Sequence, residues 1–428
     1  MKKRKKEVVT VVGLGYVGLP LAVLAAERGY RVFGVARNKR NINMLNRGVN
    51  TLKDDPSLDK AIAKKLIKAT TSYEPIRKSD IVIVCVPTPI DEFYNPDLTP
   101  VISASKGIVR NLKKGQLVII ESTINPGVCE EVVLPILEST GKKVGKDFEL
   151  AHCPERIDPG NVKWNVRNIP RCVGSVTKKG AVRAAKFYRS ILSAEVRVMK
   201  SIKEAEATKI IENTFRDINI AYVNELAKSF DVLGIDVYDV IQGAATKPFA
   251  FMPHYPSVGV GGHCIAVDPY YLIERARKAG FDHKFLKLAR EINNSMPSYT
   301  VEKLQSALNE LGLPIKGTKI GILGLSYKAN VGDMRESPSR KVIALLKDLG
   351  AKIEVFDPYF PEFSTTKSLQ VCLQNSQAII LATNHREFLN LNPKELKKHK
   401  VKVVIDGKNA WNKEAIQNQG IVYKGIGR

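Results

Sequence analysis

Short apolar runs alternate with amphipathic stretches along the first part of the chain. Glu7–Val12 is strand-like and leads straight into GLGYVGLPLAVLAAERG, where apolar positions recur at helical spacing. Tyr30–Val35, Ile81–Val86 and Leu117–Glu121 predict further strands, and charged stretches between them, such as Lys60–Lys68, predict helices. That alternation implies a parallel, doubly wound sheet. The period then changes. From Ile202 to Phe230, apolar residues at Ile210, Ile211, Phe215, Ile218, Tyr222, Leu226 and Phe230 step by three and four with no proline between them. This predicts one helix of unusual length. Helical spacing continues to about Leu311. After Gly312-Leu313-Pro314 the alternation restarts with KIGILGL, a helix over Ser339–Leu349, then KIEVFDP, AIILAT and VKVVIDG. The pattern predicts an α/β protein: two Rossmann-like doubly wound domains, residues 1–201 and 315–428, joined by a long central helix and a helical middle domain, 202–314.

Composition narrows the function. The 428 residues are 44% apolar, enough for more than one core. No uncharged apolar stretch approaches the roughly 20 residues of a membrane span. MKKRKK runs into VVTVVG and glycines rather than a cleavage site. A cytoplasmic protein without a membrane partner is expected. The net charge is +24, and five basic residues fall at positions 2–6. The remainder is scattered, without the aromatic interleaving of single-strand binders, so no nucleic-acid partner is expected; a Lys-rich surface or an anionic metabolite explains the excess. The six cysteines, Cys85, Cys129, Cys153, Cys172, Cys264 and Cys372, form no C-x-x-C pair. No histidine has zinc-finger spacing to two of them, so no metal site is expected. Cys85 and Cys372 lie in apolar runs and read as buried, inert thiols.

Gly13-Leu14-Gly15-Tyr16-Val17-Gly18 is a G-x-G-x-x-G that follows a strand and opens a helix. Gly13 permits the tight turn, Gly15 lets the backbone approach a pyrophosphate, and Gly18 lets the helix pack on the sheet. A plain tight turn is the alternative. A dinucleotide site ordinarily has an acid about 20 residues on, at the end of the second strand. Here that strand ends Gly34-Val35-Ala36-Arg37-Asn38-Lys39-Arg40, and no acid occurs between Glu27 and Asp54. Arg37, Lys39 and Arg40 suit a 2′-phosphate; a solvated basic turn is the other reading. The candidate chemistry lies in GVGGHCIAVDPYY, residues 259–271. At a helix start, Cys264 would be a thiolate nucleophile. Standing alone it would be a small core residue. His263 is a candidate base, although a sequence neighbour normally points elsewhere.

Other motifs follow in order: VPTP at 86–89, ESTINPG at 121–127, PERIDPG at 154–160, KIIENTFRDINIAYVNE at 209–225 and GLSYKANVGDMRESPS at 324–339. With the two glycine motifs they cover essentially the whole chain. It resembles the UDP-glucose/GDP-mannose dehydrogenase family, NAD-dependent four-electron oxidoreductases of nucleotide sugars. The GGHC loop and the run of residues 87–98 resemble the branch acting on UDP-N-acetylhexosamines. Val267 stands where glucose enzymes more usually carry a lysine, and IAVDP favours N-acetyl-D-mannosamine over N-acetyl-D-glucosamine.

The resemblance implies roles. Cys264 would attack the C6 aldehyde, giving a thiohemiacetal and then a thioester that water hydrolyses to the uronate. Lys209 and Asn213, one turn apart, would stabilise the oxyanion and pass protons; a surface lysine paired with Glu206 or Glu212 is the alternative for Lys209. Asp268 would orient Cys264 or serve a proton relay, or else cap the following helix. Thr123 and Glu155 would hold the hydrolytic water, with Glu155 as base. Tyr16, Val17, Arg37, Thr88 and Thr123 would join the glycines around NAD, with NADP possible from the basic turn. Arg156, Ile157, Arg216 and Gly261 would meet the sugar nucleotide alongside Lys209 and Asn213. Lys328 would bind UDP, and Arg335 would reach towards the cofactor pyrophosphate. Lys408 stands where the family usually has arginine, and lacks its bidentate fork. A homodimer is expected, because a helix this long needs packing beyond its own domain. A two-electron hydroxyacid dehydrogenase and a non-catalytic nucleotide-sugar-binding protein stay as alternatives.

Overall fold

The structure, a computed structural model, describes residues 7–52, 55–91, 94–158, 161 and 163–428. The basic residues at 2–6, Asp54, part of the 87–98 run and the end of PERIDPG lie outside the described residues. The chain separates into two compact units, Met1–Glu212 with Tyr270–Phe281, and Asn213–Pro269 with Asp282–Arg428.

The first unit is built on an eight-stranded sheet. Its strands are β1 (Val8–Val12), β2 (Arg31–Val35), β3 (Ile67–Thr70), β4 (Ile81–Val84), β5 (Gln116–Ile120), β6 (Phe148–His152), β7 (Arg171–Ser175) and β8 (Val196–Val198). They lie in the order β3-β2-β1-β4-β5-β6-β7-β8. The order reverses direction between β1 and β4, which is where a doubly wound sheet binds ligands. Strands β1, β4 and β5 are rich in apolar residues because both of their faces are covered, and the exceptions, Thr10 and Gln116, are buried with side-chain hydrogen bonds. Two expectations need correction. The pairing is parallel except between β6 and β7, which run antiparallel. The stretch 60–68 is not one helix: a short helix, Asp59–Ala63, ends before Lys65, whose φ is +53°, and β3 follows. In Ile67-Lys68-Ala69-Thr70, Ile67 and Ala69 are buried and Lys68 is exposed, a two-residue period hidden by the neighbouring charges.

The second unit carries a five-stranded parallel sheet in the order β10-β9-β11-β12-β13. Its strands are β9 (Lys319–Leu323), β10 (Lys352–Phe356), β11 (Ala378–Leu381), β12 (Val403–Asp406) and β13 (Val422–Gly425). The long helix runs over Ile202–Leu233, and the division between the units falls within it. It starts where the apolar spacing begins and ends three residues beyond Phe230. The middle segment adds helices Val237–Ala245 and Lys284–Asn309. Among the described residues, no helix is long and apolar enough to cross a membrane.

A buried polar network holds the two long helices together in the second unit. Arg290 Nη1 donates to Asp217 Oδ1 at 2.6 Å, and Asn293 Nδ2 donates to the same oxygen at 2.8 Å. Asn224 Nδ2 donates to Asn293 Oδ1 at 2.8 Å, and Asn224 Oδ1 accepts the Ser257 amide at 3.0 Å. Ser257 then donates to the Gly259 carbonyl at 3.0 Å, where the glycine loop begins. Breaking a buried ion pair from one side strands the other charge. Asp217→Ala should therefore lower the unfolding free energy by about 3–5 kcal/mol in urea titration followed by circular dichroism. A change within error would show that Arg290 finds water instead.

Candidate active site

In the first unit the glycine turn follows β1. Gly13 has φ +100°, and an added Cβ there would overlap the backbone of Cys85. At Gly18 it would overlap the Gly13 carbonyl, whereas at Gly15 it meets nothing within 4 Å. Two of the glycines are thus demanded by packing, and the third faces open space. The helix Gly18–Glu27 follows, with Val17 at its N-cap and no side chain capping its first turn. Tyr16 is exposed beside it. An uncapped helix start after a glycine turn fits a pyrophosphate. At the end of β2, Ala36 is half-buried and Arg37 is exposed, and neither supplies a carboxylate. The Thr88 carbonyl accepts the Tyr271 hydroxyl at 2.6 Å, and Thr123 is half-buried just after β5.

Behind these loops lies a charged cluster that the local pattern did not reveal. Arg171, fully buried at the start of β7, has Nη1 3.7 Å from Glu155 Oε1 and 3.9 Å from Glu121 Oε2. The same nitrogen donates to the Pro154 carbonyl at 3.3 Å, and Tyr188 donates to Glu121. Burial pushes the Glu121 carboxyl up, and the Arg171 charge opposes it. Glu155 also accepts the Ile157 amide. Arg156 is paired with Glu212 at 2.6 Å. Lys209 is only 8% exposed, which rules out the surface-lysine reading. Beside it, His152 is pulled down to about 3 by burial and then by the Lys209 charge, and so stays neutral.

The second unit places the cysteine loop. Cys264 lies in a turn just before the helix Asp268–Lys278, and its carbonyl accepts the Val267 and Asp268 amides at 3.1 and 2.8 Å. The thiol is half-exposed, and His263 Nε2 lies 3.5 Å from Sγ. The expectation that His263 would point elsewhere is thus corrected: the turn brings both side chains round to one side. The other five cysteines are buried. Burial pushes the Cys85 thiol far up and that of Cys372 to about 12, as inert core thiols require. Asp268 opens the helix, and its carboxylate accepts Asn213 Nδ2 at 2.6 Å.

The glycines of this loop are forced by close approach. Gly262 has φ +84° and donates its amide to the Arg335 carbonyl at 3.0 Å. A Cβ on Gly261 would lie 2.7 Å from the Glu336 carbonyl oxygen. Arg335 is hydrogen-bonded to Asp333, which pushes the guanidinium pKa up, and the Cys264 charge adds to that effect. Lys328 rides on the loop after β9. Asp357 anchors that loop by accepting the Leu325 and Ser326 amides at 2.6 and 2.9 Å, and buried His385 contacts the same carboxylate oxygen at 3.2 Å. On its far side His385 Nδ1 accepts the Asn330 amide at 2.9 Å. Burial pulls the Lys408 ammonium down to about 8 against the opposing pull of Asp406. Arg216 is exposed on the long helix.

The three domains of one family match in order. Its NAD binding domain matches residues 7–192, its central domain 203–295 and its UDP binding domain 321–413. The chain belongs to the UDP-glucose/GDP-mannose dehydrogenase family. It is accordingly an NAD-dependent nucleotide-sugar dehydrogenase. It is 38% identical to a UDP-N-acetyl-D-mannosamine dehydrogenase of Methanococcus maripaludis, over 98% of this chain and 96% of that one. Identity is also 38% to a UDP-N-acetyl-D-glucosamine 6-dehydrogenase of Pseudomonas aeruginosa, over 91% and 93%. The solved UDP-D-ManNAc dehydrogenase of Pyrococcus horikoshii superposes with TM-score 0.92 at 35% identity, over 98% and 99% of the two chains.

The glycine turn separates folding from binding. Gly13→Ala should destabilise the protein by about 1–3 kcal/mol, the strain of a non-glycine residue at positive φ, seen as a lower melting temperature. Gly15→Ala should leave the melting temperature of the ligand-free protein unchanged while weakening NAD binding about tenfold, the loss of one charge-assisted hydrogen bond. Unchanged NAD affinity in Gly15→Ala would place the pyrophosphate elsewhere.

Proposed function

We propose that this enzyme oxidises the C6 hydroxyl of a UDP-N-acetylhexosamine, UDP-N-acetyl-D-mannosamine in the first place, to the uronate by way of a covalent Cys264 adduct. The observation that carries this is a half-exposed thiol within 3.5 Å of His263 Nε2, on the same loop whose amide donates to the Arg335 carbonyl. The names of its relatives support the substrate class, and UDP-N-acetyl-D-glucosamine is the second reading.

When bound, NAD supplies a two-electron acceptor, and the overall change consumes two of them. The chain's own residues do the rest. His263 takes the Cys264 proton, and the thiolate adds to the aldehyde carbon, forming a C–S bond and an alkoxide. Lys209 and Asn213 donate to that oxygen, which carries the growing charge. Oxidation at this level leaves a thioester. Thr123 and Glu155 hold the water, Glu155 removes its proton, and cleavage of the C–S bond releases the uronate and restores the thiol. Asp268 fixes the Asn213 amide. Lys328, Lys408, Arg216 and Arg156 meet the anionic groups of the sugar nucleotide, with the Ile157 and Gly261 backbones alongside. Tyr16, Val17, Thr88 and Arg335 serve the cofactor.

Functionally, residues 1–201 bind the cofactor, 202–314 supply the long helix and the cysteine loop, and 315–428 bind UDP. Ile211, Phe215 and Tyr222 are 46–59% exposed on the long helix, which supports its burial in a cytoplasmic homodimer.

The test is stoichiometric. Two NADH should form per UDP-N-acetylhexosamine consumed, with a specificity constant well above that for UDP-glucose, and Cys264→Ser should stop at the aldehyde level or as an adduct. A ratio of one in the wild type would sink the four-electron reading. The pH profile offers a separate check. Lys408 is charged below about 8 and loses its charge as the pH rises through that value. The KM for the UDP-sugar should therefore rise on the alkaline side, and Lys408→Arg, which stays charged, should flatten that rise.

A further inference from the structure

We infer that Arg37 makes the end of β2 a 2′-phosphate site, so that the enzyme accepts NADP as well as NAD. The inference rests on the NAD-binding family of the first unit and is independent of which sugar is oxidised.

The fold fixes where the adenosine ribose must lie. Val35, the last residue of β2, stands opposite Val12 of β1, and the Gly13 amide donates to the Val35 carbonyl at 2.8 Å. The residues just after Val35 are therefore locked beside the phosphate cradle. Ala36 donates its amide to the Thr70 carbonyl at 3.1 Å, which keeps it in sheet geometry and presents a methyl group where a carboxylate would receive the ribose hydroxyls.

Beyond Ala36, every charge as far as Arg40 is positive. Arg37 is exposed, and Asn38 caps the helix Lys39–Arg47 by accepting the Asn41 amide at 3.1 Å. Lys39 and Arg40 then occupy the first turn, which contains no acid. Cations there oppose the helix dipole, so the arrangement weakens the ligand-free helix. A bound dianion would reverse that sign. None of Arg37, Lys39 and Arg40 is ion-paired to a described residue. Tyr73 lies near enough to Arg37 for that charge to be felt at its phenol, and its ring packs on Gly107, where an added Cβ would overlap it. A planar guanidinium at this point can grip two phosphate oxygens at once, which an ammonium cannot.

Equilibrium binding of 2′,5′-ADP and 5′-AMP, measured by calorimetry, tests this without turnover. The wild type should bind 2′,5′-ADP roughly ten- to hundredfold more tightly, the gain of one or two charge-assisted bonds. That advantage should shrink with added salt. Arg37→Ala, at an exposed position, should abolish it, and Ala36→Asp should reverse it. The ratio of specificity constants for NADP and NAD should move in parallel. Equal binding of the two probes by the wild type, or an unchanged ratio in Arg37→Ala, overturns the inference and leaves the NAD site standing. Failure to bind either probe overturns both.

Discussion

One carboxylate buried in the long helix holds the working part of the second unit in place. Asp217 lies one turn beyond Asn213, and Arg290 and Asn293 of the helix Lys284–Asn309 both donate to it. Through Asn293, Asn224 and Ser257 the same network reaches Gly259, five residues before Cys264. A loop of Gly-Val-Gly-Gly has little stiffness of its own. Its position is inherited from a polar chain that ends in a charge which cannot leave. Apolar packing would hold the helices together equally well but would not fix the loop by direction, because only hydrogen bonds carry orientation.

The first unit solves a similar problem differently. Arg171 is shared by Glu121 and Glu155, with Tyr188 completing the ring of partners. Among the described residues its Nε and Nη2 have no hydrogen-bond partner, so the guanidinium acts chiefly as a charge. The buried cation lies between two acids, and the one whose backbone continues into the PERIDPG loop is Glu155. Beside it, neutral His152 offers Lys209 a polar neighbour without a competing positive charge. The chemistry proposed for these residues depends on such settings more than on the residues named in any motif.

Strands β1, β2, β4, β5 and β9–β12, the long helix and the glycine turn were legible because each is a local period or a local spacing, whereas β6–β8 and β13 were not read. Strand β3 was not, since its apolar residues at 67 and 69 sit among Lys64, Lys65 and Lys68, and the positive φ of Lys65 has no sequence signal. Arg171 escaped for a deeper reason. It stands in a run, RCVGS, whose only oddity is one charge at its start, and its partners are 16 and 50 residues away. The Asp217 network spans more than 70 residues of sequence, which no periodicity encodes. For His263 the ordinary divergence of neighbouring side chains in an extended chain misleads, because a tight turn is where that rule lapses.

The two sheets repeat one another in detail. In the first, Gly13 at φ +100° donates to the last residue of β2; in the second, Gly324 at φ +98° donates to Phe356, the last residue of β10. Strand β10 flanks β9 as β2 flanks β1. The residue after Val35 is Ala36, and its counterpart after Phe356 is Asp357. The acid missing from the first sheet is thus present in the second, but it is buried and taken up by the Leu325, Ser326 and Tyr359 amides, the Ser326 hydroxyl and His385. The two sheets follow one architectural plan and differ at this equivalent position. There the first presents a methyl group, and the second presents a carboxylate that rivets its own loop.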